Sequence, residues 1–228
     1  MGIREDIENY RPCCKQEQRD KAVILDFIAN NADAFLRTNL VAHMTASAWV
    51  VDSSRERVLM VYHNIYDSWS WTGGHADGDE DLLAVALREC REETGVETVR
   101  PVSRDIFSLE VLTVDGHEKR GEYVPSHLHM NVTYLLEADV HETLHVREGE
   151  NSGVKWFGLS EALEACSEPW FVERVYKKLN SKLRAVRASV YAVNVRALSD
   201  GELYARAYAA SSPTRRAKAD RLLGEGDK

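Results

Sequence analysis

The sequence predicts a layered α/β domain, because strand-like and helix-like segments alternate along most of the chain. Ala46 to Val51 and Arg57 to His63 are β-rich runs separated by polar turn residues, which predicts a hairpin. A cluster of glycines then precedes a predicted helix over Asp79 to Thr94, and Gly95 lies where that helix is expected to end. At this point an α/β/α sandwich and an α+β arrangement are both open.

The segments around this hairpin and helix continue the same alternation. Lys15 to Leu36 carries apolar residues at helical spacing with charges between them, so residues 1–40 are expected to form an N-terminal helical cover. The main domain is expected to span residues 41–188. Its later strands are predicted at Ile106 to Val114, His127 to Leu136 and Val154 to Phe157, and its later helices at Ser160 to Cys166 and Phe171 to Arg187.

Composition limits the classes of partner. The chain has 228 residues and a formal net charge of −8, from 29 basic against 37 acidic residues. This charge repels phosphate backbones, so duplex nucleic acid is a poor default partner. The longest uncharged apolar-leaning run, Leu40 to Val51, is shorter than the roughly 20 residues that cross a bilayer. We therefore expect no membrane span.

The N-terminus and the cysteines predict the cellular location. Met1 to Asp6 has no apolar signal core, and Cys13, Cys14, Cys90 and Cys166 show no Cys-x-x-Cys spacing. We therefore expect reduced thiols in a cytoplasmic protein. The sequence leaves a homodimer open.

Three glutamates give the strongest chemical signal. On the predicted helix, Glu89, Glu92 and Glu93 stand at positions i, i+3 and i+4, so their carboxylates converge on one patch. Like charges at such spacing cost roughly 0.2–0.5 kcal/mol per pair, which favours divalent cations among them. Oxygen ligands suit Mg²⁺ or Mn²⁺ better than Zn²⁺. A solvated acidic helix face is the alternative explanation.

The spacing around these glutamates argues against a merely solvated face. The full pattern is Gly74, five residues, Glu80, seven residues, Arg88-Glu89, two residues, Glu92-Glu93, one residue and Gly95. It resembles the Nudix signature, with Cys90 where a larger aliphatic residue is usual. Over roughly residues 41 to 180 the chain is similar to a Nudix hydrolase. Val154 to Phe157, followed by Ser160-Glu161-Ala162, resembles the closing strand and helix of that family.

The resemblance implies an α/β/α sandwich with a mixed sheet. It also implies Mg²⁺-dependent hydrolysis of a nucleoside diphosphate linked to another group, with Mn²⁺ as the alternative ion. The metal ligands would be Glu89, Glu92, Glu93 and the carbonyl of Gly73. Glu80, Gly74 and Gly95 would support the site structurally.

The catalytic residues that the resemblance implies are Glu92, Glu93, Arg88 and a general base. Arg88 would hold a metal-binding carboxylate in its rotamer. The base would come from the loop ahead of the last strand, where Glu148 and Glu150 both stand, and Glu150 is preferred.

Candidate substrate contacts lie on both sides of the signature. His127 and His129 share one strand face, a spacing compatible with metal binding or with hydrogen bonds to a substrate. His75 follows the paired glycines and would lie close to a phosphate. Tyr66, Trp69 and Trp71 precede the glycines and are candidates for stacking on a base, with Trp69 preferred. In each case the alternative is a side chain that simply belongs to the core or to its edge.

The expected substrate is therefore a small molecule of the nucleotide type. The alternative function is a Nudix-fold module that binds or senses a nucleotide without turnover. The complete set of signature residues favours the enzyme, because a sensor need not retain every metal ligand.

Residues 189–228 differ from the preceding domain and are expected to form a short C-terminal appendage. A strand is predicted at Val190 to Val195, an alanine-rich helix at Asp200 to Ala210 and a basic helix from Ser212-Pro213 onward. The segment resembles the opening of a 4′-phosphopantetheinyl transferase, without the acidic metal-binding residues of that family. Transferase activity is therefore not implied. A fusion remnant, a truncation and a docking segment stay open.

Overall fold

The computed structural model describes residues 2–119 and 121–196. Contacts within the chain separate two units, Met1–Ser181 and Lys182–Lys228. The first unit contains the sheet and the candidate site. The described part of the second unit, residues 182–196, is helical.

Two helices form the N-terminal region. Helix α1 spans Ile3–Asn9 and was not predicted, and helix α2 spans Lys15–Asn30. The predicted extension of α2 to Leu36 is wrong. Asn31 leaves the helical conformation. Its side-chain amide donates to the carbonyl of Phe27 at 2.9 Å, in place of the backbone amide that would make this bond if the helix continued. Both helices bury isoleucines in the core.

Ten strands lie in the described part of the chain. They are β1 Ala42–Val51, β2 Arg57–His63, β3 Ser68–Ser70, β4 Thr72–His75, β5 Arg100–Pro101, β6 Ser108–Val114, β7 His117–Lys119, β8 Glu122–Val124, β9 His127–Glu137 and β10 Asn151–Gly158. Eight of them form one sheet in the order β10-β2-β1-β9-β5, with β3 beside β2, β4 beside β1 and β6 beside β9. Only the β1–β9 pair of this sheet is parallel, so the predicted mixed sheet of an α/β fold is confirmed.

Strand β1 is the centre of the sheet and is buried along its whole length. Its alternation assigns the two faces. Met44 and Val50 belong to the hydrophobic core that also contains residues of α1, α2 and α3. On the other face, Trp49 stacks on Tyr176 with ring centroids 5.2 Å apart. The same face carries Thr45, which lines the cleft described below.

Helix α3, Leu82–Thr94, carries the three glutamates and begins later than predicted. It starts after Asp81, whose side chain accepts a hydrogen bond from the amide of Ala84 at 3.0 Å. It ends at Gly95, which adopts a left-handed conformation with φ of 78°. An apolar side of the helix packs into the core, and the glutamates face the cleft.

The described chain ends in a helical region. Helix α4 spans Leu159–Ala165, α5 spans Pro169–Phe171, a π-helical turn spans Val172–Tyr176 and α6 spans Lys177–Arg196. The strand predicted at Val190 to Val195 is wrong, because α6 continues through it. No glycine or proline stands between Lys177 and Arg196 to end the helix.

The helices predicted at Asp200 to Ala210 and from Ser212 onward lie outside the described residues. Within the described ranges, every helix is too short or too polar to cross a membrane.

Candidate active site

The glutamates of α3 form a partly buried acidic patch. Glu93 is 5% exposed, and the backbone amide of Gly73 donates to its Oε2 at 3.0 Å. Burial raises the pKa of Glu93 to about 8, and the charge of Glu89 adds to that shift. Burial, and then the charge of Glu92, also raises the pKa of Glu89. The surroundings of these two carboxylates therefore disfavour their ionised forms unless a cation compensates the charge.

The paired glycines of β4 let this patch form against the sheet. A Cβ atom at Gly74 would lie 2.4 Å from Cδ of Glu89, so a side chain there would displace that carboxylate. A Cβ at Gly73 would lie 2.7 Å from the carbonyl oxygen of Ala46 and 2.5 Å from Oγ of Ser47. Both positions therefore require glycine because of close approach.

Arg147 lies between the carboxylates. Its Nη1 atom is 3.2 Å from Glu89 Oε2, 3.0 Å from Glu92 Oε2 and 3.1 Å from Glu150 Oε2. The backbone amide of Arg147 donates to Oδ1 of Asn151, whose Nδ2 in turn donates to the carbonyl of Glu93. The loop that carries Arg147 is thus fixed to the end of α3.

Sequence reasoning missed Arg147. The available signal was a basic residue three positions before Glu150, in the same loop as the candidate general bases. Glu150 and Glu148 both line the cleft. The guanidinium of Arg147 contacts Glu150 as well as Glu89 and Glu92.

A cleft of about 730 Å³ opens above the patch. Its lining combines acidic residues with three arginines, and three aromatic side chains also reach it. The arginines are Arg37, Arg88 and Arg147, and the aromatic residues are Tyr66, Trp71 and Phe171. This combination suits a ligand that has both phosphate groups and a flat ring.

Arg88 lies beside the patch, against one of its carboxylates. Its guanidinium is 3.7 Å from Glu89 Oε1 and 3.6 Å from Asp79 Oδ2. Glu80 is exposed and does not line the cleft. Helix α3 begins only at Leu82, so Glu80 precedes it and does not share its glutamate-bearing face.

The structure places Trp71, and not Trp69, in the cleft. Trp69 packs edge-on against Tyr62 and Phe157, with ring centroids 5.5 and 4.8 Å away. The chain leaves β3, which pairs with β2, after Ser70 and enters β4, which pairs with β1, at Thr72, so Trp71 lies at the crossing. That crossing ends the strand alternation, and the sequence does not show where it falls.

The predicted histidines come together at the ends of two strands, β4 and β9. His75 and His129 line the cleft. His127 does not line it, but its Nε2 atom is 3.1 Å from Nε2 of His129. His43, which was not predicted to be functional, lies within 5.1 Å of each of these three rings, centroid to centroid.

Comparison with known proteins settles the family. A NUDIX domain profile matches residues 41–179. The chain belongs to the Nudix family. The matched range contains every strand and all of α3, so the signature predicted from the sequence lies inside it. As a Nudix hydrolase, the protein is an enzyme that acts on pyrophosphate bonds.

The chain is similar to three proteins of known or named activity. It is 28% identical over 114 residues to the bis(5′-nucleosyl)-tetraphosphatase [asymmetrical] of Mus musculus, a match that covers 50% of this chain and 71% of that protein. It is 43% identical over 54 residues to the CMP-5′-(N-acetyl-N-hydroxy-3-aminopropyl)phosphonate hydrolase of Streptomyces rubellomurinus, covering 22% and 26% respectively. A crystal structure of a C. elegans Ap4A hydrolase binary complex aligns with a TM-score of 0.45 and 19% identity, covering 64% of this chain and 98% of that one.

The patch of this Nudix protein fits a divalent cation. Glu89, Glu92 and Glu93 offer oxygen donors, and a positively charged side chain already lies among them. Burial and mutual repulsion raise the pKa of Glu89 and Glu93, a strain that a cation would relieve. Oxygen-only donors favour Mg²⁺ or Mn²⁺.

Proposed function

We propose that this Nudix hydrolase cleaves a diphosphate linkage in a nucleoside diphosphate derivative, with Mg²⁺ as its cofactor and Mn²⁺ as the alternative ion. The observation that carries the proposal is that Glu89, Glu92 and Glu93 line one cleft, where the guanidinium of Arg147 lies within 3.2 Å of Glu89 and Glu92. A cation is thus accommodated at the base of a cleft that is large enough for a nucleotide.

The residues of α3 would hold the cation together with the carbonyl of Gly73. When bound, the ion would neutralise the diphosphate and lower the pKa of a water molecule. Arg88 lies against Glu89 and would act as a positioning residue for that carboxylate. Gly73 contributes its amide to Glu93, which fixes the rotamer of this buried carboxylate.

Glu150 is the proposed general base. Its carboxylate shares the guanidinium of Arg147 with Glu89 and Glu92, so it lies within reach of a water held by those ligands. Glu148 lines the same cleft. It is the alternative base.

The names of two relatives suggest the substrate class. One acts on a bis(5′-nucleosyl) tetraphosphate and the other on a CMP-linked phosphonate. Both substrates contain a nucleoside 5′-phosphate joined to a second phosphorus-containing group. We propose a substrate of this kind, with dinucleoside tetraphosphates as the first compounds to test.

The cleft offers contacts for both parts of such a substrate. His75 and His129 line it and would donate hydrogen bonds to phosphate oxygens. His127 would act through His129, which it contacts. Trp71 replaces Trp69 as the side chain proposed to stack on a base, because Trp71 reaches the cleft.

The test is phosphate release from dinucleoside polyphosphates, nucleotide sugars, CMP-linked phosphonates and nucleoside triphosphates, with and without Mg²⁺. We expect metal-dependent turnover of at least one compound. In the Glu93→Gln and Glu92→Gln variants, turnover should fall at least about 100-fold, because each loses charge at the metal site. Glu97→Gln, an exposed glutamate just beyond α3, is the matched control and should retain activity.

Two outcomes would contradict this proposal. One is a folded Glu93→Gln variant with nearly full activity. The other is tight nucleotide binding by the wild type without turnover of any compound, which would favour the sensor alternative. Circular dichroism and cooperative urea unfolding establish that each variant is folded.

We also propose that the domain division and the cytoplasmic location predicted from the sequence hold. The tail beyond α6 should be dispensable for hydrolysis, since the family match ends at residue 179 and every residue that lines the cleft lies before it. A chain ended after Arg196 keeps the whole of α6 and should retain wild-type turnover. Loss of activity from a soluble, cooperatively folded truncation would overturn this division.

A further inference from the structure

Four histidines, His43, His75, His127 and His129, meet at one end of the sheet and are called the histidine cluster. They come from β1, β4 and β9. The parallel register places His43 beside His129, and the antiparallel register places His75 beside Thr45, two residues further along β1. Each histidine can offer one ring nitrogen such that the four atoms lie within 4.8 Å of one another.

Hydrogen bonds fix the tautomer of two of these rings. Nδ1 of His43 is 3.1 Å from the carbonyl oxygen of Asn39, and Nδ1 of His127 is 2.8 Å from that of Pro125. A carbonyl oxygen can only accept, so Nδ1 carries the proton in both rings. In the neutral ring, Nε2 then presents a lone pair. This is the arrangement in which histidines ligate metals, with the other ring nitrogen donating to a carbonyl.

The Nε2 atoms are the candidate ligands. Nε2 of His43 is buried and has no hydrogen-bond partner among the residues that the structure describes. Nε2 of His127 lies 3.1 Å from Nε2 of His129, and because Nδ1 carries the proton of His127, its Nε2 accepts from His129 a hydrogen bond that an ion would replace. Four nitrogens bound tetrahedrally at a Zn–N distance of about 2.0–2.1 Å would lie about 3.3–3.4 Å apart. The nitrogen–nitrogen distances in the cluster, which are at most 4.8 Å, would therefore have to shorten by no more than about 1.5 Å.

The surroundings favour neutral rings, which are the form that binds metal. Burial lowers the pKa of His43, and burial together with the neighbouring histidines lowers the pKa of His129. Asp77 is the acidic side chain nearest in sequence to His75, and its carboxylate pairs with Arg37.

We propose that the histidine cluster binds one transition-metal ion, Zn²⁺ by preference, at a site separate from the glutamates of α3. Imidazole nitrogens suit Zn²⁺, whereas Mg²⁺ prefers the oxygen donors of the glutamates. The ion would join the ends of β1, β4 and β9 beside the cleft. The cleft reaches His75 and His129, which gives the ion a path from solvent.

The test uses Co²⁺ as a spectroscopic probe of the full-length chain after treatment with a chelator. Cys13, Cys14 and Glu17 also offer atoms within 4.8 Å of one another, so the experiment is done in a Cys13→Ser/Cys14→Ser background. We expect intense tetrahedral visible bands that saturate at one Co²⁺ per chain and disappear on addition of Zn²⁺. Octahedral binding at the glutamates gives only weak bands and does not mimic this result.

Variants locate the bound ion. His127→Ala and His129→Ala should each weaken Co²⁺ binding at least about 10-fold to 100-fold, as expected when a ligand shell is damaged. His141→Ala, an exposed histidine outside the cluster, and Glu92→Gln should bind Co²⁺ as the wild type does. If an alanine variant does not fold, His127→Gln keeps a polar side chain of similar size and takes its place.

A thermal melt gives an independent readout. Zn²⁺ should raise the melting temperature of the wild type by several degrees and leave that of the His127 variants unchanged. Two results would overturn the proposal: absence of tetrahedral bands, and tetrahedral bands that survive loss of His127 or His129.

Discussion

Two groups of carboxylates in this protein are paired with basic side chains that differ in exposure. Glu17 and Glu110 are fully buried, and Lys178 Nζ lies 3.5 and 2.9 Å from them. Only 9% of the Lys178 side chain is exposed. Glu89 and Glu92 of α3 instead pair with Arg147, whose side chain is 36% exposed. The first group, called the closed group, is buried together with its lysine. The second, called the open group, is accessible to solvent, so a cation from solvent can replace its arginine.

The closed group also satisfies its remaining lone pairs within the chain. Oε2 of Glu110 accepts from Thr133 Oγ1 at 2.7 Å and from Asn131 Nδ2 at 3.1 Å, and Oε1 of Glu17 accepts from Ser108 Oγ at 2.8 Å. Burial alone would lower the pKa of Lys178, but the charge of Glu110 and its hydrogen bond hold that pKa above its ordinary value. A fully bonded group of this kind stabilises one arrangement of the core.

Asn131 connects the closed group to the cleft that holds the open group. Oδ1 of Asn131 accepts from Thr45 Oγ1 and Ser47 Oγ, both at 2.9 Å, and all three residues line the cleft. Ser47 pairs with Gly73 across β1 and β4. The hydrogen bonds of the closed group thus hold in place the residues that line one side of the cleft.

The largest expected effect on stability comes from Lys178→Met. It leaves two buried carboxylates without their cation, so the free energy of unfolding should fall by about 3–5 kcal/mol. Urea unfolding at neutral pH measures it. Lys177→Met is the matched control, since Lys177 forms an exposed pair with Glu173 that contributes no more than about 1 kcal/mol. Equal losses in the two variants would show that the buried group is not balanced by Lys178.

A smaller effect is expected for Arg147→Gln, because its pairs are partly solvated. Without metal, the variant should be less stable by about 1 kcal/mol, since the glutamates then repel one another unopposed. Its Mg²⁺ affinity should rise, because no internal cation competes for the carboxylates. Isothermal titration with Mg²⁺ and melts with and without the ion measure both quantities.

The control for this experiment is Arg100→Gln, which removes an exposed ion pair with Glu137 away from the cleft. Its Mg²⁺ affinity should equal that of the wild type. A fall in Mg²⁺ affinity for Arg147→Gln would mean that Arg147 helps to assemble the metal site instead of competing with the ion.

The smallest effect is expected at Asp52, a carboxylate that accepts hydrogen bonds from backbone amides and from a serine hydroxyl. Oδ1 of Asp52, in the β1–β2 turn, accepts from the amides of Glu56 and Arg57 at 2.8 and 2.9 Å. Burial raises its pKa, but these bonds and that of Ser54 outweigh burial and lower the pKa below its ordinary value. Ionised Asp52 therefore stabilises the fold above the ordinary pKa of aspartate, and this contribution is lost as pH falls through the lowered value.

Asp52→Asn should accordingly cost up to about 1 kcal/mol at neutral pH, and the difference from wild type should shrink in acid. Unfolding free energies measured across that pH range give the comparison. Asp105→Asn, at an exposed loop position, should show neither the cost nor its pH dependence. A difference that grows in acid would reverse the assigned sign.

Sequence reasoning was strongest where the functional groups share one helix. Glu89, Glu92 and Glu93 converge because helical geometry fixes the angle between them, and their convergence needs no knowledge of the rest of the fold. The central hairpin and Gly95 were predicted for the same reason, since turn and cap preferences are local. The end of α2 was missed because asparagine side chains decide it.

Contacts between distant segments could not be predicted in this way. The sequence by itself determined the α/β class, the acidic helix face and the glycine at which that helix ends, because each depends on local geometry or on a short motif. Only the tertiary structure decided that Arg147 lies among the glutamates 55 or more positions earlier in the chain, that Trp71 instead of Trp69 reaches the cleft, and that four histidines from three strands meet. Those contacts depend on strand register and on where the chain crosses between strands, and many sequence patterns are compatible with more than one register.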